Sequence, residues 1–149
     1  MSLENNVTSK IKEAMKAKDV IRLEALRAIK SALILLKTED RNLPIIETKE
    51  VQVLQKLVKQ RKDSASIFRE QNRIDLAEPE EAQANIISEF LPKQLSESEI
   101  ENVVIEVITQ ISADGMKDMG KVMEIVSNKL AGKAFGKTIS NIVREKLSS

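Results

Sequence analysis

The segment from Gln55 to Arg73 has the sequence QKLVKQRKDSASIFREQNR and decides the fold prediction. Apolar residues in and just before it recur at intervals of three and four, which is typical of one face of an α-helix: Leu54, Leu57, Val58, Ala65 and Phe68. The other positions carry Lys56, Lys59, Arg61, Lys62, Arg69 and Arg73, against the acids Asp63 and Glu70. The segment therefore predicts an amphipathic helix with a basic outer face.

The charge reverses in the segment that follows. From Asp75 to Glu106 there are nine acids and a single base, Lys93, so the whole chain has a formal net charge of only +1. Two interpretations stay open. The basic face can bind an anionic partner, or its charges can pair with the acidic neighbour and form an ordinary solvated helix face.

Length and composition favour a helical protein with one domain or two small ones. The 149 residues are 42% hydrophobic, which is enough for a core and argues against wholesale disorder. Aromatic residues are only 2%, and aliphatic residues, Lys and Glu dominate, which favours helix over sheet. Few aromatics also disfavour a site for single-stranded nucleic acid, where bases stack on rings.

The chain contains neither Cys nor His. Thiol and Ser–His–Asp catalysis, thiolate or imidazole metal sites and disulfides are thereby excluded. No apolar run approaches the roughly 20 residues of a membrane span, and the N-terminus lacks the pattern of a secretory signal. The sequence predicts a soluble, cytoplasmic protein with no membrane association, no metal site and no cofactor.

The periodicity predicts seven helices, at about residues 3–17, 20–37, 48–71, 76–91, 97–111, 118–130 and 137–147. Ser2 and Asp19 are the predicted N-caps of the first two helices, and Ser96 with Glu99 forms a capping box for the fifth. Asp75 and Glu78 predict a similar capping box for the fourth helix, with Pro79 in its first turn.

Two helices carry specific packing predictions. The first has the apolar stripe Val7, Ile11, Ala14 and Met15. The second is apolar around much of its circumference, since Leu26, Ile34 and Leu35 widen an already broad face, and it is predicted to be central. The fifth is rich in β-branched residues, but a spacing of three and four predicts a helix there rather than a strand.

The Leu91-Pro92 step predicts a boundary, because the residue before a proline disfavours helix. All four glycines lie beyond it and separate short helices: Gly115, Gly120, Gly132 and Gly136. The sequence predicts an all-α fold with an N-terminal helical bundle, residues 1–92, and a smaller C-terminal three-helix subdomain, residues 93–149.

Three motifs have ordinary structural interpretations. Gly132–Thr138, GKAFGKT, resembles a phosphate-binding loop but has three residues between its glycines instead of four, and it follows no strand. The acids Glu78, Glu80, Glu81 and Glu89 could be a catalytic or metal-binding set, but acids clustered in the first turn of a helix are better explained by favourable interaction with its positive end. Met116, Met119 and Met123 are predicted to pack the C-terminal core, with a groove for a partner as the alternative.

A second basic set lies in the last third of the chain: Lys117, Lys121, Lys129, Lys133, Lys137, Arg144 and Lys146. Some of these residues lie beside glycine turns, where backbone N–H groups can also face a phosphate. Contacts to the phosphates of folded RNA require charge and shape rather than stacking rings. Structured RNA therefore remains a candidate partner.

Six blocks in order resemble the YqeY family. They are LRAIKSAL at 26–33, KQRKDS at 59–64, RIDLAE at 73–78, FLPKQLS at 90–96, DMGKVM at 118–123 and GKAFGKTISNIVREKL at 132–147. The resemblance runs from about Leu3 to Leu147. Departures from the family pattern are Phe90 where Tyr is common, Pro79 where a polar residue is common, and Phe135 where an acid is common.

That family is related to the tail domain of the B subunit of the tRNA-dependent amidotransferase, a helical appendage that engages tRNA while amide transfer occurs in other domains. The resemblance implies an all-helical fold in two parts and a role with tRNA.

The leading functional hypothesis is a non-catalytic module that binds tRNA or another structured RNA. The candidate phosphate-contacting residues are Lys59, Arg61, Lys62 and Arg73, with Lys121, Lys133 and Lys137 as a second set. One alternative is a protein–protein adaptor that uses the acidic segment and the methionines. Another is an amidotransferase-linked function by family relation, although no nucleophile and base are found together and no catalytic residue is assigned.

Overall fold

A computed structural model describes residues 2–39 and 47–148. The helices are α1 Leu3–Ala17, α2 Val20–Glu39, α3 Glu47–Glu70, α4 Ile74–Ser88, α5 Glu97–Ile111, α6 Met119–Lys129 and α7 Gly136–Ser148, with a turn of 3-10 helix at Met116–Asp118. The described residues contain no strand, and the prediction of an all-α fold is confirmed. The largest displacement of a boundary is at the end of α4, which stops at Ser88 instead of Leu91.

The first two helices begin at the predicted caps. The Ser2 Oγ accepts a hydrogen bond from the backbone N–H of Asn5 at 3.1 Å. The Asp19 Oδ1 accepts one from the N–H of Arg22, also at 3.1 Å. Each side chain satisfies a donor that has no partner inside the helix.

The predicted start of α4 is wrong. The helix begins at Ile74, and Arg73 occupies the N-cap position without a side-chain capping bond. Asp75 lies inside the first turn, where its carboxylate pairs with Arg73 instead. Pro79 is consequently the sixth helical residue rather than a first-turn residue, and it has no N–H to donate to the carbonyl of Asp75.

The chain divides into two compact units, Met1–Leu91 and Pro92–Ser149. In the first unit α3 and α4 form a closely packed hairpin, and α2 packs against α1, α3 and α4. Its core is made of aliphatic side chains from all four helices, chiefly Val7, Leu26, Ile29, Leu33, Leu54, Val58 and Ile87.

Four residues predicted to be inside this unit are exposed, among them Ile21 at 38%. Met15 is 54% exposed, Ile34 48% and Leu35 64%. The neighbouring helices cover α2 along the side that carries Leu26 and Leu33, so the apolar residues on its other side remain accessible to solvent. The predicted central position of α2 is confirmed by its contacts with α1, α3 and α4, whereas the expected burial of Ile34 and Leu35 is wrong.

In the second unit α5, α6 and α7 surround one aliphatic core. Its buried side chains include Ile100, Val104, Val107, Val122, Val126, Ile139 and Val143. The β-branched run of α5 is helical, as predicted. The Ser96 Oγ accepts a hydrogen bond from the N–H of Glu99 at 3.2 Å, which confirms the N-cap of α5. Met119 and Met123 are half-buried against the core, whereas Met116 is 45% exposed.

The segment before α5 is attached to the turn between α6 and α7. The Gln94 Nε2 donates to the carbonyl of Pro92 at 2.8 Å and to that of Gly132 at 2.9 Å. The N–H of Leu95 donates to the carbonyl of Lys133 at 2.9 Å. Gly132 has a φ of 80°, a conformation that glycine adopts without steric cost, and this turn presents both carbonyls to residues 94 and 95.

Candidate nucleic-acid interface

The outer face of α3 carries exposed lysines. Leu54 and Val58 are buried on the inner face, and the helical spacing places Lys56 and Lys59 on the opposite side, where both are exposed. Neither ammonium forms a hydrogen bond or an ion pair with any residue that the structure describes. Lys62 is also exposed. The ammonium groups of Lys56 and Lys59 are therefore flexible point charges accessible to an anionic ligand.

Arg61 differs from the lysines because it is half-buried and already engaged. Its Nε donates to the Gln83 Oε1 at 2.9 Å, and its Nη1 donates to the carbonyl of Leu57 at 3.2 Å. The Gln83 Nε2 in turn donates to the Glu24 Oε2 at 3.1 Å. Arg61 therefore connects α3 to α4, and Gln83 connects α4 to α2.

Two further arginines form paired hydrogen bonds with carboxylates. Arg69 donates to both carboxylate oxygens of Glu81, from Nε to Oε1 and from Nη2 to Oε2, the latter at 3.1 Å. Arg73 donates to both carboxylate oxygens of Asp75, from Nε to Oδ1 at 3.1 Å and from Nη2 to Oδ2 at 3.0 Å. The Arg69 guanidinium holds the pKa of Glu81 below its usual range, and Arg73 does the same to the pKa of Asp75. Of the two interpretations of the basic face, Arg69 and Arg73 therefore follow the second, since both pair with acids of the segment that follows α3.

The first candidate set therefore divides by what each residue already contacts. Lys59 is exposed and pairs with no described residue, Lys62 is exposed but already interacts within the protein, and Arg61 and Arg73 donate hydrogen bonds within the first unit. Sequence reasoning missed Lys56 as a candidate, although it lies three residues before Lys59 on the same face. It also missed Gln83, because an uncharged residue at a helix position carries no signal of a distant partner.

In the second unit Lys121 lies on α6 beside an open depression of about 590 Å³. The lining of this depression mixes both charge signs with two isoleucines: Ile111, Ser112, Asp114, Lys117, Asp118, Lys121, Glu124 and Ile125. The carboxylate of Asp118 accepts the N–H of Asp114 at 2.8 Å. Because three acids share the lining with two lysines, this surface is not a purely basic one.

Lys133 and Lys137 lie on either side of Gly136, at the start of α7, and both are exposed. Neither ammonium forms an ion pair with a residue in the described ranges. The backbone N–H of Lys133 donates to the carbonyl of Leu130 at 2.9 Å, so it does not face a phosphate. Any role of Lys133 in binding an anion would rest on its side chain.

The described residues offer little for other kinds of site. They contain no group of three or more acidic, Cys or His side chains placed to hold a metal ion. Among the described helices, none combines the length and the apolar character that crossing a membrane requires. The structure thus defines an all-helical protein whose accessible charged groups include lysines on α3 and at the start of α7.

The chain belongs to the Yqey-like protein family, whose sequence model matches residues 4–147. A segment is similar to the E subunit of glutamyl-tRNA(Gln) amidotransferase of Thermococcus gammatolerans, with 40% identity over 73 residues, which is 46% of this chain and 12% of that protein. Altered inheritance of mitochondria protein 41, mitochondrial, is similar over more of the chain. The Lachancea thermotolerans protein is 32% identical over 108 residues, and the Clavispora lusitaniae protein is 32% identical over 124.

The extent of these matches differs. Those to the two fungal proteins cover 71% and 81% of this chain, and 58% and 72% of the fungal proteins themselves. The matched segment of the amidotransferase subunit is a small part of that protein. The family model thus matches nearly the whole chain, while the similarity to the amidotransferase subunit is limited to one segment of 73 residues.

Proposed function

We propose that this protein is a non-catalytic helical module that binds structured RNA, with tRNA as the first candidate. The observation that carries the proposal is the pair of exposed lysines, Lys56 and Lys59, on the outer face of α3, neither paired with a described residue. The similarity of a segment to a subunit of a glutamyl-tRNA(Gln) amidotransferase supports tRNA over other structured RNA.

The chemistry of the surface favours a folded RNA. Lysine ammonium groups contact phosphates as point charges, and a helical RNA presents phosphates in a fixed array that requires no stacking rings. The chain has only three Phe and neither Trp nor Tyr, so a platform for unstacked bases is not available. Arg61 supports this surface by holding α3 against α4, which fixes the helix that presents the lysines.

Reversing the charge of the α3 lysines tests the proposal. We expect Lys56→Glu combined with Lys59→Glu to weaken tRNA binding at least about tenfold at low salt. The log–log dependence of affinity on salt should become shallower, by about 0.7 to 0.9 for each phosphate that the variant no longer neutralises. The melting temperature should change little, because both side chains are exposed.

A matched control is Lys12→Glu with Lys16→Glu, which reverses two exposed charges on α1. Equal loss of affinity in both double variants would mean that only net charge matters, and it would contradict an interface on α3. No binding of tRNA by the wild-type protein at low salt would remove the RNA proposal.

The second set needs a separate test, because it lies in the other unit. We expect Lys121→Glu, Lys133→Glu and Lys137→Glu to weaken tRNA affinity to different degrees. The smallest loss of affinity is expected at Lys121, whose surroundings are partly acidic. Fluorescence titration of each variant with the same tRNA measures the three effects. Unchanged affinity in all three would confine the interface to the first unit.

The adaptor alternative has weaker support. Asp75, Glu81 and Glu89 of the acidic segment already pair with arginines, and of the three methionines only Met116 is exposed. An amidotransferase-linked role would need a catalytic partner, and we expect the purified chain to release no ammonia from glutamine. Localisation in the cytoplasm stays a prediction, since the names of the fungal relatives contain the word mitochondrial.

A further inference from the structure

An apolar groove lies between α2 and α3. Its volume is about 220 Å³, several times the roughly 30 Å³ that one water molecule occupies in the liquid. The lining is Ala32, Leu35, Leu36, Glu39, Val53, Lys56, Leu57 and Gln60. Leu35 stands at the groove with 64% of its surface exposed, and the adjacent Ile34 is 48% exposed.

This exposure conflicts with the composition of α2. A helix that is apolar around most of its circumference is normally covered on all sides, and α2 already packs against α1, α3 and α4. In the first unit α2 buries Leu26, Ile29 and Leu33, whereas the side with Ile34 and Leu35 is open. Apolar side chains that gather at an exposed groove indicate a site of interaction with another macromolecule.

The charges at the groove indicate what covers it. Glu39 on α2 and Lys56 on α3 are both exposed, and they do not pair with each other or with another described residue. The groove therefore has an acid on one wall and a base on the other. In a twofold-symmetric dimer, if residue i of one copy contacts residue j of the other, then residue j of the first copy contacts residue i of the second. A groove with an acid on one wall and a base on the other is therefore complementary to a second copy of itself.

We propose that the α2–α3 groove is the interface of a symmetric homodimer. Leu35 of each copy inserts into the groove of the other, and Glu39 of each copy pairs with Lys56 of the other. The groove lining spans residues 32–39 of α2 and 53–60 of α3, about 12 Å along each helix. The rest of a stable interface of roughly 800 Å² per partner comes from exposed residues beside the groove, such as Ile34. This dimer goes beyond the proposed RNA binding and does not depend on it. It engages Lys56 through Glu39 of the other copy and leaves Lys59 exposed for contact with phosphate.

A charge-reversal experiment on the full chain, purified free of nucleic acid, tests the pairing. We expect sedimentation velocity to show a monomer–dimer equilibrium between low and high micromolar concentration. Glu39→Lys and Lys56→Glu should each weaken self-association at least about tenfold, since each places two like charges together at both symmetric contacts. Mixing the two variants should restore a dimer, because opposite charges then face each other.

Two matched controls isolate the groove. Lys59→Glu reverses an exposed charge on α3 that does not line the groove, and it should leave self-association unchanged. Leu35→Lys should abolish the dimer, whereas Ile67→Lys, at a residue 52% exposed elsewhere on α3, should not. Circular dichroism of every variant verifies that the helices are intact.

Three results would overturn the proposal. They are a wild-type protein that is monomeric throughout, a mixture of Glu39→Lys and Lys56→Glu that is no more dimeric than either alone, or equal effects of groove and control variants. A monomer that instead binds another protein, and loses it with Leu35→Lys, would identify a different occupant and likewise exclude the dimer.

Discussion

Arg61 on α3 and Gln83 on α4 are joined by a hydrogen bond of 2.9 Å from Nε to Oε1. The same glutamine donates to Glu24 on α2, so one amide links the α3–α4 hairpin to the helix beside it. A basic residue that composition alone would assign to a ligand-binding face thus has a role in the fold.

Replacing Arg61 with Ala should lower the free energy of unfolding by about 1 kcal/mol, because a partly buried, charge-assisted hydrogen bond is lost and Gln83 is left without its donor. Gln83→Ala should have a similar effect, and the double variant should lose less than the sum of the two. Urea unfolding measures all three. Lys59→Ala is the control on the same helix and should be near neutral; equal losses at Arg61 and Lys59 would contradict the assignment.

Acid should weaken the α3–α4 hairpin through Glu81 and Asp75. The pKa of each carboxyl is lowered in the folded state by its arginine, below ordinary values of 4.5 and 3.8. The stabilisation is therefore present above these values and is lost as the pH falls through the lowered pKa. Glu50 opposes this trend, because burial and then Glu47 raise its pKa.

The measurement is the melting temperature of wild type and Glu81→Gln between neutral pH and pH about 3. We expect the variant to be less stable near neutral pH and the difference to shrink as Glu81 of the wild type becomes protonated. The control is Glu80→Gln, one position earlier on α4, because Glu80 forms no ion pair with a described residue. This variant should show no such pH-dependent difference from wild type. A Glu81→Gln difference that is constant with pH would refute the pairing with Arg69.

Removing the cap of α5 should destabilise the second unit. Ser96→Ala deletes the Oγ that accepts the N–H of Glu99, and the expected cost is about 1 kcal/mol. Ser98→Ala is a matched control, since Ser98 is exposed in the first turn and caps nothing. Thermal unfolding followed by circular dichroism compares the two, and equal melting temperatures would show that the cap contributes nothing.

Gln94 should protect the segment that precedes α5 from proteolysis. Its side-chain amide donates hydrogen bonds to the carbonyls of Pro92 and Gly132, and the N–H of Leu95 donates one to the carbonyl of Lys133. Gln94→Ala should therefore speed tryptic cleavage after the exposed Lys93 severalfold. Cleavage at Lys93 that is equally fast in wild type and variant would mean that these hydrogen bonds do not order the segment.

Local signals made most of the fold predictable. The caps Ser2, Asp19 and Ser96 act on residues three positions away, and the periodicity of α5 depends only on its own sequence, so both could be read without knowing the tertiary structure. The start of α4 was missed for a related reason. Asp75 has the composition of a cap, but Arg73 is close enough to pair with it, and the helix begins one residue before it.

The candidate site was less predictable, because it depends on contacts between distant parts of the chain. Lys59 and Arg61 look alike among the basic residues of the sequence, yet the helix turns one toward solvent and the other toward Gln83, 22 positions along the chain. The exposure of Leu35 was missed likewise, since periodicity identifies an apolar face without identifying what covers it.

Neither core contains a buried polar or charged residue among those that the structure describes. Side chains such as Leu26, Val104 and Val143 are constrained by volume and shape, with no hydrogen bond to be preserved on substitution. Aliphatic residues can therefore replace one another during evolution at small cost, provided that the total volume is kept. We expect homologues to diverge freely inside the helices while keeping the same backbone, and functional constraint in this family should be sought on the surface.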